Sequence, residues 1–85
     1  MMITVKFFAT LREITGKREV KVEKVNTVAE LLDVLYHQYG ERFKKELEGR
    51  SMILVNGKNI LDLKELNTPV NDGDVISIFP PAGGG

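Results

Sequence analysis

The chain has 85 residues, its 12 Lys+Arg balance its 12 Asp+Glu, and it contains no cysteine. That length supports one small core but no deeply enclosed catalytic pocket. The missing thiols exclude disulfides, cysteine–metal sites and any sulfur or acyl group held on a thiol. No basic stripe with interleaved aromatics appears, and no apolar run resembles a secretory signal or could span a bilayer. The expected setting is therefore cytoplasmic, with neither nucleic acid nor membrane as a partner.

Residues 2–10 alternate in hydrophobicity, with Ile3, Val5 and Phe7 facing one way and Met2, Thr4, Lys6 and Phe8 the other. A period of two predicts a strand with one buried face, and it leaves Phe8 on the outer side. Gly16 marks a turn, and Arg18 to Glu23 alternate again with Val20 and Val22 inward, so the two runs read as a hairpin. Thr27-Val-Ala-Glu30 is a capping box. Behind it Val28, Leu31, Leu32, Leu35 and Tyr39 fall on one helical stripe, and Gly40 suits the C-terminal cap. Phe43 and Leu47, four apart, predict a further helical segment ending near Gly49. Met52 to Val55 form a short apolar strand, and Asn56-Gly57 is a tight-turn signal. From Asn59 to Thr68 the pattern is irregular, with Leu61, Leu63 and Leu66 expected to cover one edge of the core. Asn71-Asp-Gly-Asp74 makes another turn before a last strand, Val75 to Phe79.

The order β-β-α-β-β predicts an α+β domain over residues 1–81, with one main helix packed on a single mixed sheet. This is the β-grasp, or ubiquitin-like, arrangement. Its first and last strands are parallel neighbours, which places Phe8 and Phe79 together on the outer face as a docking surface.

After Phe79 come Pro80-Pro81, which cannot continue a ladder, and then the thread Ala82-Gly83-Gly84-Gly85. Residues 82–85 are expected to form a flexible tail. Glycines pass through narrow channels, and from Pro81 the tail reaches about 14 Å at about 3.3–3.6 Å per residue. A terminal carboxylate on such a thread can enter a partner's active site. A plain frayed terminus is the other reading of the same residues.

Elsewhere chemistry is sparse. His37, the only histidine, lies on a solvated arc without a nucleophilic or metal-binding partner. Asp72 and Asp74 flank a glycine but lack the rest of a calcium loop, so they read as turn residues, and no metal site is expected. Lys44-Lys45 reads as a solvated face. Arg12-Glu13 lies where a partner could bind, and also fits a surface ion pair.

Val5-Lys-Phe-Phe-Ala-Thr-Leu-Arg-Glu13, then Val55-Asn56, then Asp72-Gly-Asp-Val-Ile-Ser-Ile-Phe-Pro-Pro-Ala-Gly-Gly-Gly85 resemble the small subunit of molybdopterin synthase, the MoaD family. The likeness spans essentially the whole chain. It is most specific at the ending, where an aromatic, Pro-Pro, two variable residues and Gly-Gly recur. It is weakest near Asn59 and over 43–49. The resemblance implies a sulfur carrier that is not itself an enzyme and holds no cofactor. An activating enzyme of the ubiquitin-activating type would use ATP to adenylate Gly85, and a sulfur donor would convert it to a thiocarboxylate. Gly84 would give the acyl-adenylate room. The large synthase subunit would then receive the tail, with Phe8, Arg12, Phe79, Pro80, Pro81 and Gly83 at the partner surfaces, and sulfur would pass to the molybdopterin dithiolene. A ubiquitin-like modifier joined to target-protein lysines shares the chemistry up to the adenylate. A carrier for thiazole or tRNA thiolation and an interaction module with an inert tail are the remaining readings.

Overall fold

The computed structural model describes residues 2–81. The expectations for residues 82–85, Gly83, Gly84 and Gly85 among them, lie outside the described residues.

Strand β1 (Ile3–Phe7) buries Ile3, Val5 and Phe7 and turns Thr4 and Lys6 outward. The expected hairpin needs correction. β1 and β2 (Glu19–Val22) do pair antiparallel, from Ile3↔Val22 to Lys6↔Glu19, but a helix, α1 (Thr10–Thr15), joins them. Leu11 and Ile14, three apart, make a helical turn with an inward side, and Leu11 is wholly buried. Gly16 closes α1 in the left-handed conformation at φ 71°, its N–H donating to the Arg12 carbonyl at 2.9 Å.

The main helix, α2 (Val28–Tyr39), starts at the capping box. Thr27 Oγ1 accepts from the Glu30 N–H at 3.2 Å, while Glu30 Oε1 accepts from the Asn26 N–H at 2.8 Å, one residue earlier than in the usual box. Val28, Leu31, Leu32 and Leu35 are buried, as the stripe predicts. A short helix, α3 (Glu41–Leu47), turns back and plants Phe43 and Leu47 in the core. Phe7, Tyr39 and Phe43 form an aromatic cluster with ring centroids 5.5–5.8 Å apart.

β3 (Met52–Val55) turns at Asn56-Gly57, where both φ angles are positive (51° and 85°), into the two-residue β4 (Lys58–Asn59). Two 3-10 turns follow, Ile60–Asp62 and Glu65–Asn67. Here a second expectation fails: Leu61, Leu63 and Leu66 are 70%, 40% and 50% exposed. Ile60 and Val70 take the inward places, and the tight 3-10 turns leave the leucines outside. The Asn71–Asp74 turn, with Gly73 at φ 88°, leads into β5 (Val75–Phe79).

The mixed sheet has the order β2-β1-β5-β3-β4, with β1 and β5 parallel at its centre. The helices cover one face, and a single core lies between. This is the β-grasp fold.

Candidate functional site

The uncovered sheet face is built by strand alternation. β1 and β5 run in register from Thr4↔Val75 to Phe7↔Ile78, so the next pair along is Phe8 and Phe79. Phe7 and Ile78 are buried, which turns their neighbours outward. The Phe8 and Phe79 rings lie stacked with centroids 4.2 Å apart and planes 12° from parallel. The sequence expectation that these two aromatics share the outer face is therefore met.

Arg12, carried by α1, adds a third layer. Its guanidinium carbon sits 5.2 Å from the Phe8 ring centroid, and its Nε–H donates to the Phe7 carbonyl at 2.9 Å. That bond occupies one edge of the guanidinium. The residue makes no ion pair among the described residues, so the alternative of a surface pair with Glu13 is not what holds it. Pro80 and Pro81 continue from Phe79 and are half-buried.

Two further members were missed from the sequence. Met52 is the register partner of Phe79, and Leu54 is the partner of Ser77, so both stand on the same outer face. Met52 is 39% exposed and Leu54 is half-buried. The signal was available: Met52-Ile-Leu-Val55 is apolar at every position rather than alternating, so its outer side chains are apolar too. Phe8, Phe79, Met52 and Leu54 make an apolar platform at the end of the sheet from which Pro80-Pro81 depart. On its far side the face turns polar, with Lys21 Nζ donating to Thr4 Oγ1 at 2.6 Å and lying 3.6 Å from Glu19.

The other candidates are structural. Asp72 Oδ1 accepts from the Met2 N–H at 2.6 Å. Asp74 accepts from Asn56 Nδ2 at 2.9 Å and from the Asn71 N–H at 2.7 Å. His37 is exposed, and Lys44 lies over the Tyr36 ring, its nitrogen 5.6 Å from the centroid. No group of three or more His, Asp or Glu side chains among the described residues is placed to hold a metal ion. Burial holds the Tyr39 phenol above its ordinary pKa. Burial, then the charges of Asp33 and Glu48, do the same for Tyr36. Both rings stay protonated at neutral pH, and neither stands ready as a base. The geometry is that of a partly exposed apolar patch on the outer face of the sheet.

The ThiS family model matches residues 5–85. The chain belongs to the ThiS family. The molybdopterin synthase sulfur carrier subunit of Haemophilus influenzae is 33% identical over 85 residues, covering 99% of this chain and 100% of that protein. The solution structure of the small archaeal modifier protein 1 from Methanosarcina acetivorans matches with a TM-score of 0.86 and 33% identity, over 100% of this chain and 99% of that one. A chain in the complex of subunits 1 and 2 of the molybdopterin-converting factor from Helicobacter pylori 26695 matches with a TM-score of 0.68 and 34% identity, over the whole of both chains. ThiS-family membership makes this chain a ubiquitin-like sulfur carrier protein, not itself a catalyst. No helix among the described residues is long and apolar enough to cross a membrane.

Proposed function

We propose that this ThiS-family carrier delivers sulfur from its C-terminal glycine to the dithiolene of molybdopterin. The observation that carries the reading is the apolar platform of Phe8, Phe79 and Met52 at the point where Pro80-Pro81 leave the sheet. A partner seated there holds the carrier by a rigid surface and lies within about 14 Å, the span of four extended residues, of the tail's end.

The chemistry is supplied by others. An adenylating enzyme of the ubiquitin-activating type binds ATP. The Gly85 carboxylate attacks the α-phosphorus, and pyrophosphate leaves. The resulting mixed anhydride has AMP as its leaving group, so a sulfur nucleophile displaces AMP and leaves a thiocarboxylate. Gly84 has no Cβ to crowd the acyl group, and Gly83 lets the thread lie in a narrow channel. The large synthase subunit then receives the loaded tail. The carrier binds no cofactor or metal of its own in this scheme, and ATP is spent by its activator. Phe8, Arg12, Phe79, Pro80 and Pro81 serve as the docking residues.

The test is the intact mass after incubation with ATP, the cognate activating enzyme and a sulfide source. The expected result is a gain equal to replacing one oxygen by sulfur, abolished when Gly85 is removed. No gain, with the same activator loading another carrier, overturns the reading. The likeness to an archaeal modifier protein favours a second reading, in which the activated glycine is joined to target lysines. High-mass adducts of a tagged chain that vanish when Gly85 is removed identify it.

A further inference from the structure

The chain leaves β1 through a turn that its own residues do not favour. In the parallel β1–β5 ladder the even-numbered residues of β1 bond to β5, beginning with the Thr4 N–H, which donates to the Asp74 carbonyl at 3.0 Å. The same pattern would give the Phe8 carbonyl to the N–H of residue 80, but that residue is Pro80 and has none. The carbonyl accepts from the Leu11 N–H instead, at 3.1 Å, and closes a four-residue turn over 8–11. Ala9 is its first central residue, at φ 53° and ψ −130°. These are the angles of a type II′ turn, which has glycine at that place. The ψ value also takes Ala9 outside the left-handed helical region, where a side chain at positive φ is best tolerated.

The surroundings hold the turn in this form. The Ala9 carbonyl accepts from the Arg12 N–H at 3.0 Å, and the Arg12 Nε–H reaches back to the Phe7 carbonyl. The Thr10 hydroxyl donates to the Glu46 carboxylate of α3, and Leu11 is wholly buried. None of these contacts uses the Ala9 side chain, which is exposed and stands outside the core. Within the folded chain the methyl group therefore brings backbone strain and no packing in return. Strain of this kind collects at sites that meet a ligand or partner, where stability is given up for a contact.

We propose that the Ala9 methyl is a contact of the docking surface, carrying the Phe8–Phe79–Met52 platform onto the corner between β1 and α1, where the large synthase subunit packs against it. Ala9 follows Phe8 directly, so the corner is continuous with the platform. The turn that strains Ala9 also starts the helix that lays Arg12 over the Phe8 ring. The side chain is short, so the partner comes close to the backbone there, and a longer side chain would hold it off. The inference rests on the carrier reading above.

The experiment pairs thermal melts with titration calorimetry against the cognate large synthase subunit, on the full-length chain and on Ala9→Gly, Ala9→Gln and Phe8→Ala. A contact residue held under strain moves the two readouts in opposite directions. Ala9→Gly relaxes the turn and raises Tm by about 4 °C, yet weakens binding by about fourfold, the worth of one buried methyl group. Ala9→Gln keeps the strained backbone and adds length at an exposed position. It leaves Tm within about 2 °C and weakens binding by about tenfold or more, as overpacking at a close contact does. Full affinity in either Ala9 variant, with Phe8→Ala binding weakly, overturns the contact and leaves the carrier reading intact. A lower Tm for Ala9→Gly places the methyl in the packing of the fold itself and also overturns it. Unaltered binding in all three variants, or no binding by the native chain, overturns the contact and the platform together.

Discussion

Phe8, just past β1, Phe79 of β5 and Arg12 of α1 form one stack, and each layer depends on the others. Removing the Phe8 ring takes away the middle of that stack. Truncation to Phe8→Ala is expected to cost about 2 kcal/mol of partner binding, as for a central interface aromatic. Folding stability should fall by only about 1 kcal/mol, the scale of one aromatic stack. Paired titration calorimetry and denaturant melts decide the point, and equal losses would make Phe8 a core residue. The pairing of Phe8 with Phe79 was legible in the sequence, because strand alternation fixes which side each residue takes. The place of Arg12 was not. Its Nε bond to the Phe7 carbonyl requires α1 to exist, and the helix was hidden inside what reads as a turn.

Elements with a complete local signal were read correctly. The capping box, the apolar stripe and Gly40 define α2 without outside help. The Asn56-Gly57 turn is equally self-contained, and it sets the β3–β4 register. Gly57 sits at φ 85° with open space where a side chain would go, so Gly57→Ala meets backbone strain rather than a clash. We expect it to lower stability by about 1 kcal/mol, measured by urea unfolding. Phe43 tests the packing of α3: its ring is wholly buried against Phe7 and Tyr39, and Phe43→Ala should cost about 3–5 kcal/mol. A loss below that range would mean that the helix repacks. The Leu61–Leu66 segment defeated the sequence reading for a physical reason. Leucine is usually inside, but a 3-10 turn of three residues exposes most of what it carries, and Ile60 had already taken the inward site.

At the scale of the whole molecule, topology followed from fold-level rules: one amphipathic helix, a set of short strands and a last strand that reads as buried. Which outer face would be apolar beyond Phe8 and Phe79 depended on cross-strand register, and Met52↔Phe79 is a contact between distant parts of the chain. The assembled core also sets an alkaline limit. Burial raises the Tyr39 and Tyr36 phenols above their ordinary value of 10.0. The folded state therefore holds these protons more tightly than the unfolded chain does. Their contribution is complete below pH 10 and is lost as pH rises through the folded values. Thermal midpoints should be insensitive to these groups at neutral pH and decline above about pH 10. Tyr39→Phe should flatten that decline, and an unchanged slope would mean that Tyr39 ionises freely.

The central position of β5 has a mechanical consequence. The strand that leads into Pro80 and Pro81 is hydrogen-bonded on one side to β1 and on the other to β3. Tension drawn along that strand from its C-terminal end loads both ladders in shear, along the strand axis, so the bonds share the load instead of opening one after another. A protein that grips and tugs this strand from beyond Phe79 pulls on a strand anchored along both of its sides.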